Sequence, residues 1–495
     1  MTDADELSRQ VREFALGWFR DNSGTDQTEK NGISIGSTLS YLIWQATASI
    51  LSYSMRYEEF RRHGKIPTIW QDATPLEQRV ALAFGTTQQL QVSRSLVPQI
   101  DEQVISSAML RVPPAAKAVQ RVQSILYSRI DLPEHLWLTD WLTHHVSRGD
   151  PRGTVLYRRS LHRSAIPHTN AAAWVEAGSY FPEDIDGLFS RQLVSAFITD
   201  RNYGWPDFVV TALCHYVQDT YKAIRGLLVE ASAQILSMLE FYAPSKVCLP
   251  ADAIETWNLW YQFCQQRDIK TVMYMDGYAV IPYCPILKNS NNTSWLVSRI
   301  AAYGSAQVEM YRNHGYPLTK LDVVTPPFLL HQRHLKPQHN KFDAIVLTWT
   351  PLCVNPTSDS HSPATTLATA LRTLNRCGKT KLAIKVRWPA ELPYVKHVIR
   401  NLGIEAVILE GYLWQHLAKS PLFIGGISTA LAEVTAHGAQ YVVYEPLDNG
   451  YSDFDIAKST VISRKTVARD SSELEEFILR GASSWIGNPA INLLM

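Results

Sequence analysis

Residues 422–446 read LFIGGISTALAEVTAHGAQYVVYEP, and this stretch decides the fold. Leu422-Phe423-Ile424 is a short apolar run suited to a strand buried on both faces. Gly425-Gly426 lets the chain turn tightly. Ser428 and Thr429 stand where a helix would open, with hydroxyls able to cap it. Ala430, Leu431 and Val434 give that helix an inner face, Gly438 ends it, and Tyr441–Tyr444 forms the next strand. Strand, glycine turn, helix and strand make the repeating unit of a parallel α/β sheet. Amides and a helix dipole at such a turn point at an anion, so Gly426, Ser428 and Thr429 are expected to hold a phosphate. Glu433, one turn on, is placed to accept two ribose hydroxyls.

The chain has 495 residues, enough for two or three domains. Its 47 basic and 46 acidic residues leave a formal charge of +1, which argues against a dedicated nucleic-acid binder. Six cysteines form no CxxC pair and fit no zinc spacing, and a reducing cytoplasm is the expected setting. The opening MTDADELSRQ is acidic and polar, unlike a signal peptide. The apolar run Leu39–Tyr53 is too short to span a bilayer. Cytoplasmic location is expected, with contact at the inner face of the membrane as an option.

Outward from the central stretch, 342–348, 381–386 and 405–409 read as strands. Residues 363–375 and 391–402 read as helices, Gly411–Leu417 as the start of another, and Ser471–Gly481 as a closing helix. Upstream, residues 12–20 read as a first strand, and a helix runs from Thr38 to about Arg62 on the stripe Leu39, Leu42, Ile43, Ala46, Ile50. A long helix over 209–241 leads to a strand at 246–249, a helix at 253–266 and a strand at 270–275. Gln307–Arg312 reads as a helix and Leu321–Val324 as a strand. Asp72–Leu90, Ala115–Ile130 and Leu132–Val146 look helical, giving a helical insertion over about 63–200. The expected division is an N-terminal, acceptor-side domain over 1–328, a nucleotide-binding domain over 342–470, and a helix and tail over 471–495. No GxGxxG fingerprint occurs, which argues against hydride transfer.

These features resemble the GT-B glycosyltransferases, whose fold class is α/β with two Rossmann-like domains facing a cleft. Among them the chain looks most like bacterial surface-polysaccharide transferases that use CMP-activated sugars, the β-Kdo and sialic acid enzymes. The resemblance rests on the GGIST turn (425–429) with Glu433, on NGISIGSTLSYL (31–42), and on TVMYMDGY (271–278). It is best over 241–450, moderate over 30–60 and absent over 63–200.

The resemblance implies that Asp276 is the catalytic carboxylate, a base on the acceptor hydroxyl or a nucleophile at the anomeric carbon. Sialic acid transferases carry two acidic residues before the glycine; here Met275 replaces the first. His314 is expected to hold the donor carboxylate or the leaving phosphate. Lys385-Val386-Arg387-Trp388-Pro389 occupies the place of a Lys-Pro-His-Pro-like motif, without its histidine. Lys385 and Arg387 are then the donor-side cations, since guanidinium matches phosphate in a forked geometry. Glu410 and Tyr412 lie in the loop that reads the base, and Gly32 and Gly36 form the acceptor-side loop. Helix dipoles and basic side chains replace a metal, and no cofactor is needed beyond the nucleotide-sugar donor. The SDFDI segment (452–456) reads as a surface loop.

The implied reaction moves Kdo or a related acidic sugar from a CMP donor to a glycan or lipid-linked glycan, in lipopolysaccharide or capsule assembly. Two alternatives stay open: a UDP-sugar enzyme or 2-epimerase on the same fold, and a non-catalytic binding protein. The acceptor, the stereochemistry and the oligomeric state are not set by the sequence.

Overall fold

The computed structural model describes residues 4–62, 69–70, 89–90, 135–139, 153–157, 171–184, 191–249, 255–274, 295–313, 315–324, 341–349, 363–387, 391–446 and 461–485. The chain opens with helix α1, Ala4–Gly17. This corrects the strand read over 12–20. Val11, Phe14, Ala15 and Trp18 are the buried positions, a spacing of three and four that only a helix presents on one face. Strands β1 (Glu29–Lys30) and β2 (Ile33–Ser34) follow as a hairpin. Its two-residue turn is Asn31-Gly32, both with positive φ (52° and 82°), the pairing that a type I′ turn requires. Helix α2, Ile35–Arg62, starts directly from β2.

Strands β3 (Ile69–Trp70) and β4 (Gln89–Leu90) form a short parallel pair. Then come β5 (His135–Thr139), β6 (Gly153–Tyr157), α3 (Ala171–Tyr180), α4 (Arg191–Asp200) and α5 (Asp207–Tyr242). β7 (Lys246–Leu249), α6 (Glu255–Gln266), β8 (Lys270–Tyr274), β9 (Arg299–Ala302), α7 (Ser305–Asn313) and β10 (Leu321–Val323) complete the first half. Apart from the β1-β2 hairpin and the β3-β4 pair, its described strands make one parallel sheet in the order β10-β9-β8-β7-β5-β6.

The helix read over Leu132–Val146 is therefore also corrected, at 135–139. His135-Leu136-Trp137-Leu138-Thr139 pairs with β6 on one side and β7 on the other, and Leu136 is fully buried. A short apolar run does not reveal its period, and pairing on both edges decides for strand. The described residues between 63 and 200 include both strands and helices, since α3 and α4 also lie there. The helix read over Ala115–Ile130 falls outside the described residues. So does that over Asp72–Leu90, apart from its last two residues, which form β4.

The second half contains β11 (Ala344–Leu347), α8 (Pro363–Arg376), β12 (Leu382–Lys385), α9 (Leu392–Leu402), β13 (Ala406–Leu409) and β14 (Leu422–Gly425). It ends with α10 (Ala430–Ala436), β15 (Gln440–Tyr444), β16 (Val467–Ala468) and α11 (Ser471–Arg480). Two short 3-10 turns, Leu413–Gln415 and Leu417–Lys419, stand where a helix was expected. The six strands are parallel in the order β13-β12-β11-β14-β15-β16.

The first core is aromatic: Trp18, Tyr221, Trp257, Trp260 and Phe263 from α1, α5 and α6 lie in one buried cluster with the sheet residues Val247, Met273 and Ile300. The second sheet is covered on both faces. On one, Leu367, Leu371 and Leu374 of α8 and Leu474 of α11 form a cluster. On the other, Phe423, Leu431, Val434 and Tyr441 form a cluster that also takes in Tyr303 and Ala306 of the first half. Tyr303 directly follows β9, and Ile427, Ala430, Leu413 and Trp414, which follow β14 and β13, pack against the same cluster. The carboxyl edges of two parallel sheets thus meet through shared apolar side chains. Two Rossmann-like halves, joined in this way, are the expected GT-B-like class. Among the described residues no helix is long and apolar enough to cross a membrane.

Candidate functional site

The second sheet is laid down from β11 outward to β12 and β13, then from β14 outward to β15 and β16 on the other side. Strand order reverses between β11 and β14. Where it reverses, successive crossovers depart to opposite faces and leave a crevice at the carboxyl ends, the usual ligand position in open α/β sheets. Thr348-Trp349 follows β11, and Gly426–Thr429 follows β14, so these two loops are its walls.

The glycine turn is held from below. A Cβ on Gly425 would stand 2.6 Å from the Tyr441 hydroxyl and 3.0 Å from Leu347 Cβ. One on Gly426 would meet Glu445 Oε1 at 2.8 Å and Trp349 Cδ1 at 3.1 Å. Both glycines are needed for close packing, whatever binds above them. The Tyr441 hydroxyl donates to the Gly426 carbonyl at 2.8 Å, and the Ile427 amide donates to Glu445 Oε1 at 2.8 Å. The Trp349 indole N–H donates to the Tyr444 carbonyl at 3.1 Å, with the ring 2% exposed.

One amide of the expected phosphate turn is therefore taken by the protein's own carboxylate. Ser428 Oγ accepts from the Ala430 amide at 3.2 Å, and the Thr429 carbonyl accepts from Ala432 and Glu433. Thr429 makes no side-chain cap. Among the described residues the Ser428 and Thr429 amides have no acceptor. Glu433 is only 9% exposed, and burial pushes its carboxyl up to about 7.

The opposite wall is built on α9. Glu391, 2% exposed, accepts the Arg387 amide at 2.8 Å and the Thr348 hydroxyl on the same Oε2. Tyr394 of α9 donates to the Trp349 carbonyl at 3.1 Å. Lys385 is buried and turns back to donate to the Val386 carbonyl. Burial lowers its ammonium below the ordinary lysine value, with Glu391 and Glu410 pulling the other way. Arg387 is exposed at the strand end. The structure thus separates the two expected donor cations: Arg387 is presented, and Lys385 is folded into the wall.

The loop after β13 is internally bonded. The Glu410 carbonyl accepts from His416 Nε2 at 2.7 Å, and His416 Nδ1 accepts from Lys419 Nζ at 2.9 Å. The Tyr412 amide donates to Gln415 Oε1 at 3.1 Å, and its carbonyl accepts the Gln415 amide at 3.2 Å. Burial holds the His416 imidazole below its ordinary value, so the ring is neutral with its proton on Nε2. Tyr412 itself is 39% exposed.

Gly32 and Gly36 stand in a closed arrangement. A Cβ on Gly32 would lie 2.6 Å from Gln266 Nε2, and one on Gly36 would run into the Phe19 ring. The amides of Gly36 and Ser37 donate to Thr28 Oγ1 and Ser34 Oγ, at 2.8 and 3.0 Å. Buried Asp26, Asn258 and Gln262 complete that network. Asp276 and His314 lie outside the described residues. β8 ends at Tyr274, two positions before Asp276, and pairs with β9, whose following Tyr303 touches the second half. Among the described residues no three His, Cys, Asp or Glu side chains stand close enough to share a metal ion.

Sequence reading missed Glu391, Glu445, Trp349, Tyr441 and His416. Glu445 and Trp349 carried a usable signal, since they stand one and two positions past buried strands, at the end where ligands sit. Glu391 and His416 act through loops whose closure no spacing announces.

No protein-family model and no curated protein matches the chain. Solved structures do. UDP-GlcNAc 2-epimerase from Neisseria meningitidis, bound to UDP-GlcNAc, is 11% identical over 72% of this chain and 95% of its own, at a TM-score of 0.40. The Rickettsia bellii UDP-N-acetylglucosamine 2-epimerase is 8% identical over 73% and 93%, at 0.43. The wall teichoic acid polymerase TagF is 7% identical over 50% and 74%, at 0.28. At such values the likeness is one of overall architecture, and the two sheet orders themselves define the fold.

Proposed function

We propose that this protein is a nucleotide-sugar enzyme that binds a UDP-linked sugar at the carboxyl edge of its second sheet. The observation that supports it is the reversal of strand order between β11, followed by Thr348-Trp349, and β14, followed by Gly426–Thr429, together with the Ser428 and Thr429 amides having no acceptor among the described residues. In this reading those amides and the Arg387 guanidinium neutralise the diphosphate. The Glu410–Tyr412 loop holds the base, and Glu433 lies behind the ribose. Asp276, two positions after β8 in sequence, supplies the carboxylate that moves a proton or attacks at the sugar. Two of the structural neighbours are named as UDP-GlcNAc 2-epimerases and the third carries CDPG, so titration decides between uridine and the cytidine that sequence resemblance implied.

Calorimetric titration with UDP and CMP tests the donor. UDP should bind at least tenfold more tightly than CMP, and Ser428→Ala with Thr429→Ala should not abolish it, because the amides remain. Incubation with UDP-GlcNAc alone then separates epimerisation from transfer: a C2 epimer formed without acceptor marks the epimerase. Absence of binding by either nucleotide at millimolar concentration overturns the reading.

A further inference from the structure

Glu391 occupies the residue before the first turn of α9, where a carboxylate ordinarily accepts the helix's own amides. It makes no such cap. Pro393 sits at the second helical position and has no N–H to offer, which removes one of the two usual donors. The side chain reaches back instead. One oxygen accepts both the Thr348 hydroxyl and the Arg387 amide, and Arg387 N also lies 3.1 Å from Thr348 Oγ1. The carboxylate joins the start of α9 to Arg387, just past β12, and to Thr348, just past β11. These are the two strand ends on one side of the crevice, and the group that joins them is 2% exposed.

We infer that Glu391 is a positioning residue, fixing where Arg387 presents its guanidinium to an anionic phosphate group. The inference rests on the anion-binding role given to Arg387 in the reading above. A carboxylate accepting an amide from i−4 sets the backbone of residue 387 before any ligand arrives. The arginine then loses less freedom on binding, which is where preorganised sites gain affinity.

The test is a double-mutant cycle on the full chain, titrated with inorganic pyrophosphate and with UDP. Arg387→Ala and Glu391→Gln should each weaken binding about tenfold, the scale of one charge-assisted hydrogen bond. The double variant should be no weaker than Arg387→Ala alone. Glu391→Gln keeps the volume and one acceptor, so it should fold; matched far-ultraviolet spectra verify this. Wild-type affinity in Glu391→Gln, or losses that add in the double variant, overturns the positioning role. Pyrophosphate binding without UDP binding sinks the nucleotide reading and leaves this inference to be read from pyrophosphate. Binding of neither sinks both.

Discussion

Glu445 holds the Ile427 amide at 2.8 Å, so a buried carboxylate just past β15 occupies one amide of the glycine turn. The pair fixes the turn in one conformation before any ligand is present. It also leaves Ser428 and Thr429 as the amides of the turn without an acceptor among the described residues.

The same contact makes Gly426 intolerant of a side chain. Its Cβ would lie 2.8 Å from Glu445 Oε1 and 3.1 Å from Trp349 Cδ1, and neither group is the free end of a flexible chain. Gly426→Ala should cost roughly 1–3 kcal/mol, as overpacking generally does. Urea unfolding reads this directly; an unchanged midpoint would mean that the turn is looser than described.

Glu433 gives a prediction with a definite sign. Burial raises its carboxyl from an ordinary 4.5 to about 7 in the folded protein. A folded value above the unfolded one means the fold favours the protonated acid. That contribution is complete below about pH 4.5 and is lost as pH rises through about 7. Glu433→Gln, which carries no charge, should therefore match wild type at about pH 4 and exceed it by about 3 kcal/mol at about pH 8. Chemical denaturation at the two pH values checks it. If Glu433 also contacts ribose, the stabilised variant should bind UDP less well, a trade often seen at functional sites.

His416 should behave in the opposite sense with pH. Burial lowers its folded value below 6.5, chiefly against the unfolded chain's ordinary imidazole, with Lys419 and Lys385 adding to the shift. The folded state therefore favours the neutral ring, and stability is complete above about 6.5 and declines as pH falls below it. Protonation would also set an Nδ1–H against the Lys419 ammonium. Replacing His416 by Gln should flatten this decline between about pH 7 and about pH 5. An equally steep decline in the variant would assign it elsewhere.

Gly36 tests whether the first loop is packing or site. Its Cβ would enter the Phe19 ring, and Phe19 is 1% exposed. Gly36→Ala should destabilise by roughly 2–3 kcal/mol, and adding Phe19→Leu should recover part of the loss. Loss of activity at full stability would instead return the glycine to an acceptor-side role.

The second half was legible because its strands are short apolar runs separated by amphipathic helices, and each period is unambiguous. Ala344–Leu347, Leu382–Lys385 and Ala406–Leu409 fall inside the stretches read as strands, and Leu422–Gly425 exceeds its stretch by one residue, Gly425. The first half failed where period was ambiguous. Phe14 and Trp18 share one helical face that a nine-residue β-branched and aromatic string disguises, and His135–Thr139 is a strand only because two neighbours pair with it. In the site, residue types were readable and partnerships were not. Ser428, Thr429 and Arg387 could be picked from chemistry at strand ends. That Lys385 folds inward while Glu391 and Glu445 hold the walls depends on contacts across 43 or fewer positions of chain, which no motif encodes.

Amide hydrogen exchange with and without saturating UDP tests the central claim most directly. Slowed exchange is expected in peptides covering 425–433 and 384–391, with the largest change at the Ser428 and Thr429 amides. Saturated UDP binding that leaves both segments unchanged would contradict a ligand site at the reversal of strand order.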